Sequence, residues 1–176
     1  RDLQLMQVLR TVRDLNLPQG AVGAGYIRTA VWDHLCGMQP SPVDDIDVIY
    51  YDPADLSTAA EQAFERQLER AMPGMPWSVR NQARMAARNG DAPYTSLDDA
   101  LRHWLETPTC VAVRLRPGGG MDIIAPFGLD DLFALKVNPT PRGRERAESY
   151  RQRVAEKRWE HRWPGVTVTL PQEPRK

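Results

Sequence analysis

The 176 residues hold only two cysteines and three histidines, and no excess of either charge. No apolar run approaches the roughly 18 residues of a membrane-spanning helix, and nothing resembles a signal peptide. No membrane partner is therefore expected. Cys36 and Cys110 lack metal-ligand spacing; a single disulfide is one possibility, but isolated, apolar-flanked thiols point to reduced, buried cysteines and a cytoplasmic location. His34, His103 and His161 share no common spacing, which argues against a histidine metal site. Lys plus Arg total 23 and Asp plus Glu total 23, so a general nucleic-acid binder with a strongly basic face is not expected. Internal repeats and low-complexity segments are missing too. This length predicts one domain over 1–170 with a proper core, and a loose tail over 171–176.

What the chain does have is a paired carboxylate on a strand. Ile46 to Tyr51 is β-branched and aromatic, and Asp52-Pro53 stops it. Residues i and i+2 of a strand share a face, so Asp45 and Asp47 point one way while Ile46, Val48 and Tyr50 point into a core. Two close carboxylates repel unless a cation lies between them, and hard divalent ions prefer such oxygen ligands. A solvated acidic strand end is the plainer reading of this segment alone.

Upstream, Val22-Gly23-Ala24-Gly25 is a glycine-containing turn followed by Ile27, Val31 and Leu35 at helical spacing, with Gly37 placed to end the helix. A glycine turn opening a helix leaves backbone amides unpaired and lets a ligand approach the main chain, which outlines a phosphate cradle. Arg28, one turn in, could add a fork of donors.

These segments together resemble the polymerase-β-type nucleotidyltransferase superfamily. The match rests on Gly23-Ala24-Gly25-Tyr26-Ile27-Arg28 with Val31-Trp32-Asp33, on Asp45-Ile46-Asp47, on Trp77 to Met85, on Ala125 to Phe133, and on Arg153, Val154, Lys157 and Trp159. Within that superfamily the chain is most similar to small bacterial nucleotidyltransferase family proteins of unknown substrate. Ala86 departs from the pattern, since histidine often follows the Arg-Met pair there. The resemblance implies an α+β fold, a small mixed sheet flanked by helices. It implies a third metal carboxylate on a later strand, for which Asp122 is the candidate. Alternation would let Asp122 face the pocket while Met121 and Ile123 pack on the other side. The pattern Asp130-Asp131-Leu132-Phe133-Ala134-Leu135-Lys136 adds Lys136 as a nucleotide contact, with a structural helix as the alternative.

The implied activity is metal-dependent transfer of a nucleoside monophosphate from a nucleoside triphosphate to a hydroxyl. Two magnesium ions (or manganese) would be held by Asp45, Asp47 and Asp122, with Asp122 a possible base. Gly23, Ala24, Gly25 and Arg28 would hold the phosphates. Nucleobase and acceptor stay open; the acceptor could be a small molecule, a protein side chain or an RNA end. A catalytically silent binding or regulatory module on the same fold is the alternative. A dinucleotide-binding fold fits poorly, because Arg28 occupies the third glycine position and the carboxylates begin their strand.

Other elements follow from pattern. An amphipathic helix is expected around Leu5 to Leu15. A second is expected from Asp52 as N-cap through Leu56, Ala60, Phe64, Leu68 and Met72. A capped helix should open at Ser96 and run through Leu101, Trp104 and Leu105, and a hairpin should join 110–115 to 121–125 across Gly118 to Gly120. A long charged helix is expected from about Arg144. Charge is uneven: 44–65 holds seven acidic residues and no Lys or Arg, whereas 142–162 holds eight Lys/Arg against four Glu. Most of those arginines read as a solvated helix face.

Overall fold

Five short strands carry the architecture: β1 (Ala21–Gly23), β2 (Ile46–Tyr50), β3 (Trp77–Asn81), β4 (Ala112–Leu115) and β5 (Met121–Ile124). In this computed structural model, which describes residues 3–171, they form one mixed sheet in the order β3-β2-β1-β4-β5. β1 runs antiparallel to both β2 and β4, β2 and β3 are parallel, and β4–β5 is the expected hairpin. The fold is α+β. The tail expected over 171–176 lies, beyond Pro171, outside the described residues.

Alternation on the strands sorts the core into two layers. Ile46, Val48 and Tyr50 join Val22 and Val113 under α1 (Leu3–Asp14), which contributes Val8, Leu9 and Val12. On the opposite face Ala21, Ile49 and Ala112 pack on Leu97 and Leu101 of α5 (Leu97–Arg102). The sheet is thus held from both sides, and its strand ends are fixed enough to position charged groups.

α2 (Ala24–Leu35) starts directly from β1. The helix after β2 begins later than its sequence suggests. α3 spans Thr58–Ala71 with Ser57 as N-cap, because Asp52 turns its carboxylate onto the Ala54 amide at 2.9 Å. Asn81 Nδ2 then donates to the carbonyls of Asp52 and Asp55, at 2.7 and 2.8 Å. Those carbonyls are engaged across the chain and cannot open a helix. α3 in turn protects the sheet edge: Glu65 accepts from the Val79 amide at 3.0 Å and Glu61 from the Asn81 amide at 2.8 Å. Otherwise this edge would present bare donors.

After β3 come α4 (Gln82–Asn89), closed by left-handed Gly90, and α5, capped by Ser96 as expected. α5 stops at Arg102, short of Trp104. A 3-10 turn (Thr107–Thr109) leads into β4. α6 is only Asp130–Phe133, and β6 (Lys136–Val137) pairs with β7 (Thr167–Val168) in a separate two-stranded sheet. The expected long charged helix is broken into α7 (Pro141–Glu145), α8 (Ala147–Lys157) and α9 (Trp159–Arg162). The break before α9 falls at Arg158, a non-glycine residue with φ 45°. Among the described residues no helix is long and apolar enough to cross a membrane. Cys36 and Cys110 are both free thiols.

Candidate active site

β2 carries Asp47, half-buried between buried Ile46 and Val48, whereas Asp45, expected on the same strand face, lies one residue before the strand and is exposed. Val22 lies opposite Val48 on β1, so one further step of that register sets Gly23 beside Asp47. On the other side Asp47 pairs with Ser78 of β3. The glycine turn and the carboxylate pair, twenty residues apart in sequence, therefore meet at one end of the sheet.

The turn is built differently from a simple glycine cradle. Its left-handed residue is Ala24, at φ 53°, and the Ala24 amide is used by the Val111 carbonyl at 3.0 Å. Positive φ costs a non-glycine residue of order 1 kcal/mol or more. Gly23 is extended; a side chain there would meet Ile49 Cδ1 at 2.9 Å. At Gly25 a Cβ would touch only Arg28 Nη2, at 3.7 Å. The fold tolerates a side chain at Gly25, so the openness there serves whatever approaches the helix start. The first turn of α2 leaves the Gly25 and Tyr26 amides without intrahelical acceptors.

Arg28 is 6% exposed. Its guanidinium sits among three tryptophan rings, 5.2 Å from the Trp32 centroid, 5.5 Å from Trp159 and 5.4 Å from Trp163. Such contacts hold a cation in place but satisfy none of its five donors. Nη2 makes one long hydrogen bond, to Thr29 Oγ1 at 3.3 Å, and buried Nε has no partner among the described residues. Burial pulls the Arg28 pKa down to about 10, opposed by Glu106 and pulled further down by Arg153 and Arg162. The group is still a cation at neutral pH, near enough to Glu106 and Asp45 to feel their charge but hydrogen-bonded to no carboxylate among the described residues.

α8 supplies the facing wall. Arg153 Nε donates to Glu106 at 2.6 Å, and Glu106 is 1% exposed. Lys157 follows one turn later on the same helix face. Burial and the adjacent Asp45 raise the Asp47 pKa to about 6, in spite of Arg153, Lys157 and Arg80. Buried Asp33 ties the layers together: it accepts from the Ser41 amide at 2.6 Å and from Trp163 Nε1 at 2.7 Å. That fixes both the loop leading into Asp45 and one ring around Arg28. Asp45, Asp47, Gly25, Arg28, Arg153 and Lys157 all line a single cleft of about 950 Å³.

Two expected participants are not brought there. Asp122 lies on β5, an edge strand three steps from β2, which puts it about 14 Å away at ordinary strand spacing. It pairs in register with Arg114 and is bound by Arg114 Nε at 3.2 Å and Arg116 Nε at 3.4 Å. Met121 and Ile123, expected to anchor the strand, instead line the cleft. The hairpin that joins β4 to β5 places Asp122 beyond β4, engaged by Arg114 and Arg116 and not grouped with Asp45 and Asp47. Lys136 is exposed on β6 and does not line the cleft, since α6 ends at Phe133 and Leu135, at φ 56°, turns the chain away. Among the described residues no three His, Cys, Asp or Glu side chains are grouped to hold a metal.

Sequence reasoning had no signal for Glu106, a lone acid in Leu105-Glu106-Thr107-Pro108 that becomes the buried partner of Arg153. The tryptophans around Arg28 were visible only as parts of the resemblance at Trp32 and Trp159. Arg80 and Arg84, by contrast, bind Glu65 and Glu61 at 2.9 and 2.8 Å and brace α3 to β3.

A small mixed sheet bearing Asp-x-Asp beside a glycine turn that opens a helix defines a polymerase-β-type nucleotidyltransferase fold. A nucleotidyltransferase family model matches residues 10–168, and the chain belongs to that family. An NMR structure described as a CCA-adding enzyme head domain is 31% identical, covering 96% of this chain and 90% of its own length, with a TM-score of 0.85. A CCA-adding enzyme in complex with CTP (18% identity, 95% of this chain, TM-score 0.59) and the Thermotoga maritima CCA-adding enzyme complexed with tRNA (18%, 95%, TM-score 0.58) share the fold. This chain spans 40% and 39% of those longer proteins. No curated protein sequence matches. The protein is a nucleotidyltransferase.

Proposed function

We propose that this nucleotidyltransferase moves a nucleoside monophosphate from a nucleoside triphosphate to an acceptor hydroxyl, with Asp45 and Asp47 binding a divalent cation and Arg28 holding phosphate. The observation that carries this reading is the buried, hydrogen-bond-starved Arg28 guanidinium lining the same cleft as the two carboxylates. A buried charge with open donors is costly unless an anion completes it.

Two carboxylates suit magnesium, which keeps several waters and is usually held by one or two protein carboxylates plus substrate phosphates. The cation, when bound, would neutralise Asp45 and Asp47 and the phosphates together. This chain's own share is positional. The first-turn amides of α2 and Arg28 grip phosphate oxygens, Lys157 stands across the cleft, and the Arg153–Glu106 pair holds that wall still. The acceptor proton would pass to Asp47 or to water, Asp47 being partly protonated near pH 6. Relatives solved with CTP and with ATP make those two triphosphates the first to test. The free thiols fit a reducing compartment such as the cytoplasm.

The departure of Asp122 favours a second reading, a nucleotide-binding module without turnover. One experiment separates them: pyrophosphate release with each triphosphate, magnesium and a dialysed cell extract as acceptor pool, alongside nucleotide affinity for wild type and Arg28→Met. Nucleotide binding that falls about tenfold or more in Arg28→Met, with release by wild type, supports transfer; binding without release supports the silent module. Equal affinity in both proteins removes Arg28 from the site.

A further inference from the structure

Seven large apolar side chains are well exposed among the described residues, and four of them face the one cleft that holds Asp45 and Asp47: Leu35 (43%), Met121 (44%), Ile123 (53%) and Phe133 (55%). Scattered apolar residues on a surface need no explanation, but a concentration in a polar-ended cleft does. They come from three elements, the end of α2, the edge strand β5 and the end of α6. No single amphipathic helix or strand accounts for them.

The charged part of the cleft is already committed. Arg153 is bound to Glu106, and Arg162 Nη1 reaches Asp44 at 3.4 Å. Arg28 and Lys157 stand with Asp45 and Asp47, whose charges they feel. Arg114 and Arg116 of the β4–β5 hairpin are taken by Asp122. Among the described residues, the lining of the cleft holds no Lys or Arg beyond Arg28, Arg153, Lys157 and Arg162 for the phosphates of a nucleic-acid strand, which such a strand would require along its path. An acceptor whose hydroxyl lies at the carboxylate pair must lay the rest of its body in this same cleft.

We propose that the acceptor is a small molecule with an apolar or aromatic body and a hydroxyl at one end, its body lying against Met121, Ile123, Phe133 and Leu35. This inference rests on the nucleotidyl-transfer reading and names its acceptor class. It also turns the misfit of Met121 and Ile123, expected as anchors of their strand, into a specificity surface.

The test uses the whole chain with magnesium and a non-hydrolysable triphosphate, and follows the methyl NMR signals of Met121 and Ile123. Three probes carry hydroxyls on different bodies: 2-phenylethanol, glucose, and a short oligoribonucleotide with a free 3′ end. Titration with 2-phenylethanol should move both methyl signals, and the other two probes should not. Ile123→Ser with Phe133→Ser, both exposed and so tolerated by the fold, should weaken 2-phenylethanol by about tenfold or more, as losing an apolar pocket contact does. Triphosphate affinity in the double variant should stay within about twofold, since neither residue carries charge to the phosphate end. Methyl shifts produced by the oligoribonucleotide or by glucose, or none by 2-phenylethanol, overturn the proposal. Shifts that depend on protein concentration alone overturn it in favour of a second copy of the chain. Failure of the triphosphate to bind at all is read separately, by calorimetry, and counts against the transfer reading instead.

Discussion

Asp47 carries two costs at once, burial and the neighbouring Asp45, and both act on its charged form. The folded state therefore holds the Asp47 proton up to about pH 6, whereas the unfolded chain releases it near pH 4. Between those values the native state binds more protons, so stability falls as pH rises from about 4 to about 6, and the penalty is complete above that. Asp47→Asn removes it. Thermal or urea unfolding should show the variant more stable than wild type at pH 7.5, by about 1–3 kcal/mol after allowance for partial exposure. The two proteins should converge near pH 4. Manganese affinity of wild type, read by calorimetry, should climb through pH 6 and be strongly reduced in the variant. A wild type as stable as Asp47→Asn at pH 7.5 would mean that no electrostatic strain is stored at the pair.

Among elements, the α3–β3 contact has the clearest wiring. Glu61 is 3% exposed, accepts from the Asn81 amide, and receives Arg84 Nη2 at 2.8 Å. Removing it leaves a buried edge amide and a guanidinium without their acceptor, a loss of about 3 kcal/mol by the usual cost of breaking a buried pair. Glu61→Ala should lower the urea midpoint accordingly, and hydrogen exchange should quicken at Asn81 and Val79 first. Glu65→Ala, whose pair with Arg80 is partly exposed, should cost clearly less. Equal losses in the two variants would show that the edge is held by packing alone. The same edge carries Ser78 beside Asp47, so loosening it should also weaken cation binding.

On the scale of the whole molecule, the site is a meeting of distant segments. Arg28 is caged by Trp159 and Trp163 from the far end of the chain, and Asp33 joins Trp163 to the loop before Asp45. A ligand that bridges α2 to α8 should therefore stabilise everything between them. A non-hydrolysable triphosphate with magnesium, at about a hundred times its Kd, should add about 2.7 kcal/mol to stability. For a chain of this size that is a rise in Tm of roughly 5–10 °C. Replacing magnesium with a chelator should remove most of the rise, because the phosphates would then face Asp45 and Asp47 unscreened. A rise of equal size without the cation would sink the role of the carboxylate pair.

The sequence by itself determined Asp47 on its strand, the turn from Val22 into α2, and the α+β class, because each is written in local period and local chemistry. Alternation over Ile46 to Tyr50 needs no partner to be legible, and neither does the i, i+4 stripe of Ile27, Val31 and Leu35. Only the tertiary structure decided that Asp122 does not join the pair. Strand order is a long-range property, and the hairpin that sets β5 outside β4 carries Asp122 away to Arg114 and Arg116. Helix ends behaved the same way: Asp52 failed as a cap because Asn81, 29 residues later, takes its carbonyl. Lys136 left the cleft because Leu135 turns the chain into β6. Glu106 became the partner of Arg153, and the three tryptophans the surroundings of Arg28, through packing alone. Pattern fixes which face a residue shows, and only pairing between distant segments fixes what that face meets.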